Sequence, residues 1–238
     1  MVGAVGDDGN GALLRDSVAA SGADTTDVVV RPGTATGTAV ITVDGRGENT
    51  IVISGGANAT FSAEDLPADL FRDAAVLGLC LEVPMEAVLA AARAAHAAGV
   101  TVLTNLSPFG DVPPELLDLT DVLLVNEHEA AALGDHGVAR SIVTRGGDGS
   151  VVHDGDAAPV EVPAVPVDAV DTTGCGDAFM GGGRTPARRG GTRSSRPRAS
   201  QPVSVRTRRP VPAHRRPTRP PRSWRRSSGR DPGLPPDH

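Results

Sequence analysis

The amino-acid sequence predicts an α/β protein whose central sheet is largely parallel. Short apolar runs rich in Val, Ile and Leu alternate with segments of helical spacing through most of the first 183 residues. Pro opens and Gly closes the clearest helical segment, which is the usual punctuation of a helix. Strands that alternate with helices along a chain favour a parallel sheet covered by those helices.

The first predicted elements are a hairpin, a strand, a helix and a second strand. Residues 38–54, TAVITVDGRGENTIVIS, form two β-branched runs around Asp-Gly and predict a β-hairpin. The apolar run AAVLGLCLE (74–82) predicts a buried strand, in which Cys80 is a small hydrophobic residue. PMEAVLAAARAAHAAG (84–99) predicts a helix that ends at its glycine, and VTVLTN (100–105) predicts the strand that follows.

The later elements repeat this alternation at shorter lengths. PPELLDLT (113–120) predicts a short helix, DVLLVN (121–126) a strand and EHEAAAL (127–133) another helix. RSIVTRGG (140–147) returns to the β-branched pattern of a strand, and GSVVHDGDAAPVEVPA (149–164) predicts a hairpin.

The charge of the chain divides near Gly183. Residues 1–183 hold 27 acidic residues and 7 Arg, a net charge of −20, whereas residues 184–238 hold 16 Arg and 2 Asp, a net charge of +14. The second segment also holds 11 Pro and little apolar surface, so we expect it to be disordered. Because the chain contains Arg but no Lys, we interpret this segment as the frameshift product of a GC-rich gene. A genuine basic tail that binds nucleic acid non-specifically is the alternative.

Cysteine usage and hydropathy predict a soluble, cytoplasmic protein without a membrane or specific nucleic-acid partner. Cys80 and Cys175 lie far apart and form neither a C-x-x-C pattern nor a disulfide framework. The sequence shows no secretory leader, and no apolar run approaches the roughly 18 residues of a membrane span.

Residues 171–177, DTTGCGD, have the composition of an anion-binding turn. Small residues at 174–176 let the backbone approach a ligand, and a helix beginning in the following AFMGG would aim their N–H groups at phosphate oxygens. Asp177 comes next and can accept a proton from a substrate hydroxyl. Base and oxyanion donors in this order predict phosphoryl transfer to an alcohol. A Gly-rich turn with a capping Asp is the structural alternative.

The string DTTGCGDAF resembles a motif of the ribokinase (pfkB) family of carbohydrate kinases, which usually has Ala where this chain has Cys175. Other segments resemble further motifs in the family's order: VGAVGDDGNG (2–11), GTAVITVDGRGENTIVISGGAN (37–58), LGLCLEVP (77–84), VNEHEA (125–130) and IVTRGGDG (142–149). An ordered set is more specific than any one motif. The resemblance covers residues 2 to about 182. It implies a partial carbohydrate kinase domain over 1–183, a three-layer α/β/α fold with a small β lid, incomplete here.

The resemblance also implies a role for each matched residue. Asp177 would be the general base and contact the sugar, and Glu82 would bind sugar hydroxyls. Glu129 would hold magnesium through water, which suits a hard cation that keeps several waters. Asp171, with the backbone carbonyl of Thr173, would hold a potassium ion. The anion hole would be formed by Gly174, Cys175 and Gly176, and the ATP site by Asn126, Thr144, Gly146 and Gly149.

The implied reaction transfers a phosphoryl group from ATP to the 5-hydroxyl of D-ribose, with Mg²⁺ and K⁺ as cofactors. Another pentose, a hexose derivative or a nucleoside as acceptor, or an inert fragment with a basic tail, are the alternatives. The family's sugar-contacting Asp and Gly-Gly-x-x-x-N segment do not occur, and the stretch from Asn126 to Thr144 is about half its usual length. We therefore expect impaired activity of this chain. Kinases of this family often pair through an exposed lid sheet, so the resemblance also implies a homodimer, which the sequence by itself does not give.

Overall fold

The computed structural model describes residues 1–43, 49–167 and 174–182, so the predicted basic segment 184–238 lies outside the described residues. The strands are β1 (Gly3–Gly6), β2 (Val28–Arg31), β3 (Thr38–Val43), β4 (Asn49–Ser54), β5 (Val76–Leu79), β6 (Thr101–Asn105), β7 (Val122–Asn126), β8 (Arg140–Thr144), β9 (Ser150–Asp154) and β10 (Val160–Val162). The α-helices are α1 (Gly9–Ala20), α2 (Met85–Ala97), α3 (Pro114–Asp118), α4 (Glu127–Leu133) and α5 (Cys175–Gly182).

The central sheet has six strands in the order β10-β9-β8-β7-β6-β5. Strands β5 to β8 are parallel, while β9 and β10 return antiparallel as the predicted second hairpin. The α/β prediction with a largely parallel sheet is therefore confirmed. In the register, Asn105 pairs with Leu124, and Asn126 pairs with Thr144. Parallel strands bring their carboxyl ends to one edge, so these polar residues lie at the same edge of the sheet.

One face of the sheet carries the main core. Helix α2 presents its alanine-rich side to β5 and β6 in a cluster of Leu79, Val88, Ala91, Ala92, Ala95, Val100, Val102 and Leu116. Under α4 a second cluster contains Leu106, Leu123 and Val125. Because side chains alternate along a strand, Leu124 and Asn126 point to the opposite face. On that face, a Cβ added at Gly78 would lie 2.8 Å from Cε of Met180, so α5 packs closely against β5 there.

Strands β1 and β2 form a separate parallel pair that the sequence patterns did not predict. The edge of β1 that faces away from β2 forms hydrogen bonds with side chains. The Ala4 N–H donates to Oδ1 of Asn58 at 3.2 Å, and the Gly6 N–H donates to Oγ1 of Thr36 at 3.0 Å. A small cluster of Ala4, Ala57, Phe61 and Ala87 then joins this pair to α2. Through these contacts, the Gly-Ala-Asn stretch at 56–58 holds β1 in position within the fold.

Strands β3 and β4 form an antiparallel two-stranded ribbon, as predicted for residues 38–54. Its Asp-Gly turn lies outside the described residues. Ala39, Ile41, Ile51 and Ile53 share one face, whereas Val40 and Val52 lie on the other face beside Thr and Ser. The large apolar side chains of both faces are exposed.

Several element boundaries differ from the sequence-based expectation, among them the start of α5 and the end of β5. Helix α5 begins at Cys175 rather than after Asp177, because Gly174 takes a left-handed φ of 74° and its carbonyl accepts the Ala178 N–H at 3.0 Å. That bond closes the first turn early, around the residues expected to form the anion hole. Strand β5 ends at Leu79, before Cys80, which is half-buried. Within the described part of the chain, every helix is too short or too polar to cross a bilayer.

Candidate active site

A pocket of about 200 Å³ lies between the carboxyl edge of the sheet and the start of α5. Its lining comes from segments that are distant in sequence: Asn105, Ser107, Leu124, Val125, Asn126, Glu129, Thr144, Gly174, Cys175, Gly176 and Asp177. Seven of the predicted site residues are in this set: Asn126, Glu129, Thr144 and the run from Gly174 to Asp177.

The Asn-x-x-Glu motif is a capping box at the start of α4. Oδ1 of Asn126 accepts the Glu129 N–H at 2.9 Å, and Oε2 of Glu129 accepts the Asn126 N–H at 2.8 Å. This reciprocal pair fixes both side chains at the end of β7. It leaves Nδ2 of Asn126 and Oε1 of Glu129 for a ligand. The motif therefore stabilises a helix end and holds two polar groups at the pocket wall.

Thr144 and the two glycines that follow it have different positions. Thr144 lines the pocket, and its hydroxyl donates to the Val125 carbonyl at 3.4 Å. Gly146 and Gly149 lie in the turn between β8 and β9 with φ angles of 52° and 92° and do not line the pocket. A Cβ at Gly149 would lie 2.1 Å from the Val162 carbonyl oxygen. The close contact between Gly149 and the end of β10 is therefore sufficient to require glycine at this position.

The start of α5 places the predicted base beside the predicted anion hole. Gly174, Cys175, Gly176 and Asp177 are exposed residues of the first turn, and all of them line the pocket. The first N–H groups of a helix have no partner within the helix, and its dipole favours an anion there. Asp177 thus shares the pocket with neutral donors suited to an oxyanion.

Glu82 lies in a bend after β5, is exposed and does not line the pocket. Because it follows the end of β5, Glu82 nevertheless lies at the carboxyl edge of the sheet, where it affects the Cys80 thiol. Burial raises the pKa of Cys80, and the carboxylates of Glu82 and Asp177 raise it further against an opposing backbone hydrogen bond at Glu82. Both carboxylates therefore lie within electrostatic range of one thiol.

Two site predictions cannot be placed, and two pocket residues were not predicted. Asp171 and Thr173, expected to hold potassium, lie outside the described residues. Asn105 and Ser107 line the pocket without having been singled out. The signal for Asn105 was present, because VTVLTN ends in Asn after an apolar strand in the same way as DVLLVN does at Asn126.

Comparison with known families decides the classification. The model of the pfkB family of carbohydrate kinases matches residues 1–183 of this chain. The chain belongs to the pfkB carbohydrate kinase family. The match includes every segment that resembled a family motif, and the three-layer fold with a mostly parallel sheet agrees with it.

Ribokinases are among the similar proteins. The Staphylococcus aureus ribokinase is 32% identical over 197 residues, which cover 74% of this chain and 64% of that protein. The Arabidopsis thaliana ribokinase, solved in complex with ribose and ATP, is 30% identical with a TM-score of 0.65, over 75% of this chain and 65% of that one. A Burkholderia thailandensis nucleoside kinase in complex with inosine is 25% identical with a TM-score of 0.63, over 76% and 64%. The chain thus spans less than two thirds of the length of each.

The donors in the pocket fit a magnesium ion bound largely through water. Among the described residues, no cluster of three or more His, Cys, Asp or Glu side chains could hold a metal by itself. The pocket does combine the carboxylates of Glu129 and Asp177 with the amide of Asn126. Mg²⁺ prefers oxygen ligands, keeps several waters and commonly binds one or two carboxylates together with substrate phosphates.

Proposed function

We propose that this chain is an ATP-dependent sugar kinase of the cytoplasm that phosphorylates the 5-hydroxyl of D-ribose. One observation carries the proposal: the pocket joins the Asn126–Glu129 capping box, Thr144 and the Gly174–Asp177 turn, which are far apart in sequence. These are the parts that phosphoryl transfer to an alcohol requires, namely a base, neutral oxyanion donors and a place for a hydrated cation.

In the proposed reaction, a carboxylate oxygen of Asp177 accepts the proton of the sugar hydroxyl. The hydroxyl oxygen then bonds to the γ-phosphorus of ATP while the bond to the β–γ bridging oxygen breaks, and ADP leaves. The N–H groups of Gly174, Cys175 and Gly176 stabilise the charge on the transferred oxygens. Glu129 would hold magnesium through water, and the ion would neutralise phosphate charge. Asn126 and Thr144 bind the nucleotide on the other side, beside the turn that contains Gly146 and Gly149.

The preference for ribose rests on the ribokinases among the similar proteins and on Glu82, whose exposed carboxylate follows β5 at the carboxyl edge of the sheet and can accept hydrogen bonds from sugar hydroxyls. The nucleoside kinase that shares the fold makes a nucleoside the second candidate acceptor. We further propose a potassium site at Asp171 and Thr173, as the family resemblance implies.

An acceptor panel tests the function directly. ADP formation would be measured with saturating ATP, Mg²⁺ and K⁺ while ribose, other pentoses, hexoses and nucleosides are supplied in turn. We expect ribose-dependent turnover below the roughly 1 s⁻¹ at the low end of typical enzymes. The reason is that the residues of the anion hole are exposed and that α5 contains no buried residue, whereas catalysis depends on held geometry. Faster turnover on a nucleoside would overturn the ribose assignment, and no turnover on any acceptor would overturn the kinase proposal for this chain.

A further inference from the structure

Asn105 is a buried polar residue in the pocket that has no role in the proposed reaction. It ends β6, is 6% exposed and lines the pocket. Its carboxamide forms no hydrogen bond with another described residue. Two other asparagines differ in this respect, since Oδ1 of Asn126 accepts the Glu129 N–H and Oδ1 of Asn58 accepts the Ala4 N–H.

Asn105 lies deeper in the pocket than Asn126 and Thr144, which end the neighbouring strands. It pairs with Leu124, two residues before Asn126 on β7, and therefore lies farther from the open edge of the sheet. Buried polar groups in folded proteins nearly always have a hydrogen-bond partner, because leaving one unpaired costs the desolvation free energy of that group. A carboxamide that is buried, faces a pocket and has no hydrogen-bond partner among the described residues is available to a ligand.

The charges of the pocket indicate which ligand atoms Asn105 contacts. Glu129 and Asp177 are acidic, and no Lys, Arg or His of the described chain lines the pocket. An incoming phosphoryl group must therefore be bound by neutral donors in addition to any cation. The backbone N–H groups of residues 174–176 supply donors from the α5 side, and the two N–H bonds of the Asn105 amide supply them from the sheet side.

We propose that Asn105 is a further catalytic residue, whose Nδ2 donates a hydrogen bond to an oxygen of the γ-phosphoryl group at the floor of the pocket. The contact rests on the proposed kinase function. It makes the anion hole two-sided, with one wall from the first turn of α5 and the other from the end of β6. Such a contact depends on the γ-phosphoryl group and is absent when ADP is bound.

The side-chain amide of Asn105 can be observed directly. The sequence holds five asparagines, so a ¹⁵N-asparagine-labelled sample of the whole chain gives a sparse NMR spectrum of side-chain NH₂ groups. The Asn105 signal is assigned by its absence in Asn105→Asp. We expect it to shift when the magnesium complex of adenylyl imidodiphosphate is added, and to stay in place with MgADP. The Asn58 signal, from outside the pocket, is the internal control and should not move with either nucleotide.

Affinity measurements on variants complete the test. Asn105→Asp keeps the shape and replaces the donors by a negative charge, and Asn105→Ala removes the amide. A hydrogen bond to a charged group corresponds to roughly 10-fold to 100-fold in affinity, so Asn105→Ala should lose at least about 10-fold for the imidodiphosphate complex and less than about 2-fold for MgADP. Asn105→Asp also repels phosphate, so it should weaken both complexes and weaken the imidodiphosphate complex more. The matched control is Thr104→Val, the neighbouring buried residue of β6. Its hydroxyl bonds to Thr120 at 2.8 Å on the other face of the sheet, and its loss should leave both affinities unchanged.

Each outcome decides between the two proposals. If MgADP binds but the Asn105 signal does not respond to the imidodiphosphate complex, the Asn105 contact is wrong and the kinase function stands. Equal losses for both nucleotides in the Asn105 variants would assign the residue a purely structural role and also overturn the contact. If the wild-type chain binds neither nucleotide, the proposed function fails and the contact fails with it.

Discussion

The six-stranded sheet and the β3–β4 ribbon show two different ways of holding a β-structure in place. The residues at the centre of the sheet are buried by helices on one face, and Val102, Leu123 and Val125 are at most 2% exposed. In the ribbon, Ile51 is 51% exposed and Val52, on the opposite face, is 63% exposed. A two-stranded ribbon of this kind has little stability of its own in water.

The difference explains why the candidate site lies on one of these structures and not on the other. In the sheet, the strand register places Asn105, Asn126 and Thr144 at one edge, and Asn105 is also buried. The ribbon is held at its base, where the chain crosses itself closely: a Cβ at Gly56 would lie 2.4 Å from the Ala35 carbonyl oxygen. We therefore expect changes in the sheet to affect chemistry and global stability, and changes in the ribbon to affect neither strongly.

The largest effect is expected at the end of the sheet, for Asp177→Asn. The amide keeps the shape of the side chain but cannot take the proton of the sugar hydroxyl, and loss of a general base typically lowers a rate by ~10²–10⁴-fold. Single-turnover ADP formation measures the rate, and nucleotide affinity should change less than twofold. Asp118→Asn, an exposed carboxylate at the end of α3, is the control and should keep the wild-type rate. A variant at position 177 that kept more than a third of the rate would exclude Asp177 as the base.

Next in size is the stability difference between Leu123→Ala in the sheet and Val52→Ala in the ribbon. Leu123 is fully buried in the cluster under α4, and removing such a side chain leaves a cavity that typically costs about 2–5 kcal/mol. Val52 contacts mainly solvent, so its truncation should cost less than about 0.5 kcal/mol. Urea unfolding of both variants measures the two values. Equal destabilisation would mean that the ribbon is packed against other parts of the protein.

The sequence predicted the six-stranded sheet better than the N-terminal part because of the patterns available. Helix α4 was predicted with its observed ends, since EHEAAAL follows a strand directly and the capping box sets its start. Strands β1 and β2 are only four residues long, and α1 has no clear apolar stripe, with Leu13 and Leu14 both exposed. Short elements stabilised by loops and side-chain caps leave no periodic signal.

The site was predicted in part for a similar reason. Sequence motifs identified the residues at the ends of β7 and β8 and in the first turn of α5. They could not show that Gly146 and Gly149 lie outside the pocket, because glycine at a tight turn and glycine near a phosphate have the same pattern. They also missed Asn105, whose importance depends on burial and on strand register, which appear only once the sheet is assembled.

A smaller effect is expected where the N-terminal strands meet the base of the ribbon, for Asp8→Ala. Asp8 accepts three hydrogen bonds, from the Gly11 N–H, the Thr36 N–H and the Thr36 hydroxyl, at 2.8, 2.8 and 2.6 Å. These bonds, those from Thr36 foremost, lower the pKa of Asp8 from 3.8 to about 2. The variant should have a lower Tm than the wild type at neutral pH, and Asp16→Ala, an exposed carboxylate on α1, should not.

The pH dependence of that Tm difference tests its cause. Because the folded pKa of Asp8 lies below its unfolded value, its stabilisation is fully present above about pH 4 and is lost as the pH falls towards 2. The gap in Tm between wild type and Asp8→Ala should therefore narrow between pH 4 and pH 2. A gap that stays constant across this range would show that the charge of Asp8 does not contribute.

The smallest effect on stability, with the clearest effect on assembly, is expected on the apolar face of the ribbon. Ala39, Ile41, Ile51 and Ile53 form that face, and exposed apolar patches of this kind commonly mark an interaction site. We propose that a second copy of the chain covers it, as the homodimer predicted from an exposed lid requires. Ile51→Thr combined with Ile53→Thr keeps the β-branched shape and adds polar groups, so the ribbon should persist while pairing weakens. Val40→Thr with Val52→Thr makes the same chemical change on the opposite face and is the matched control. Sedimentation over a range of concentrations should give a dimer for the wild type and the control and a monomer for the isoleucine variant. The urea midpoint for unfolding of that monomer should be close to the midpoint of the control, which shows that the variant is folded. A monomeric wild type would exclude the dimer, and a dimer that survives both pairs of substitutions would place its interface elsewhere than the ribbon.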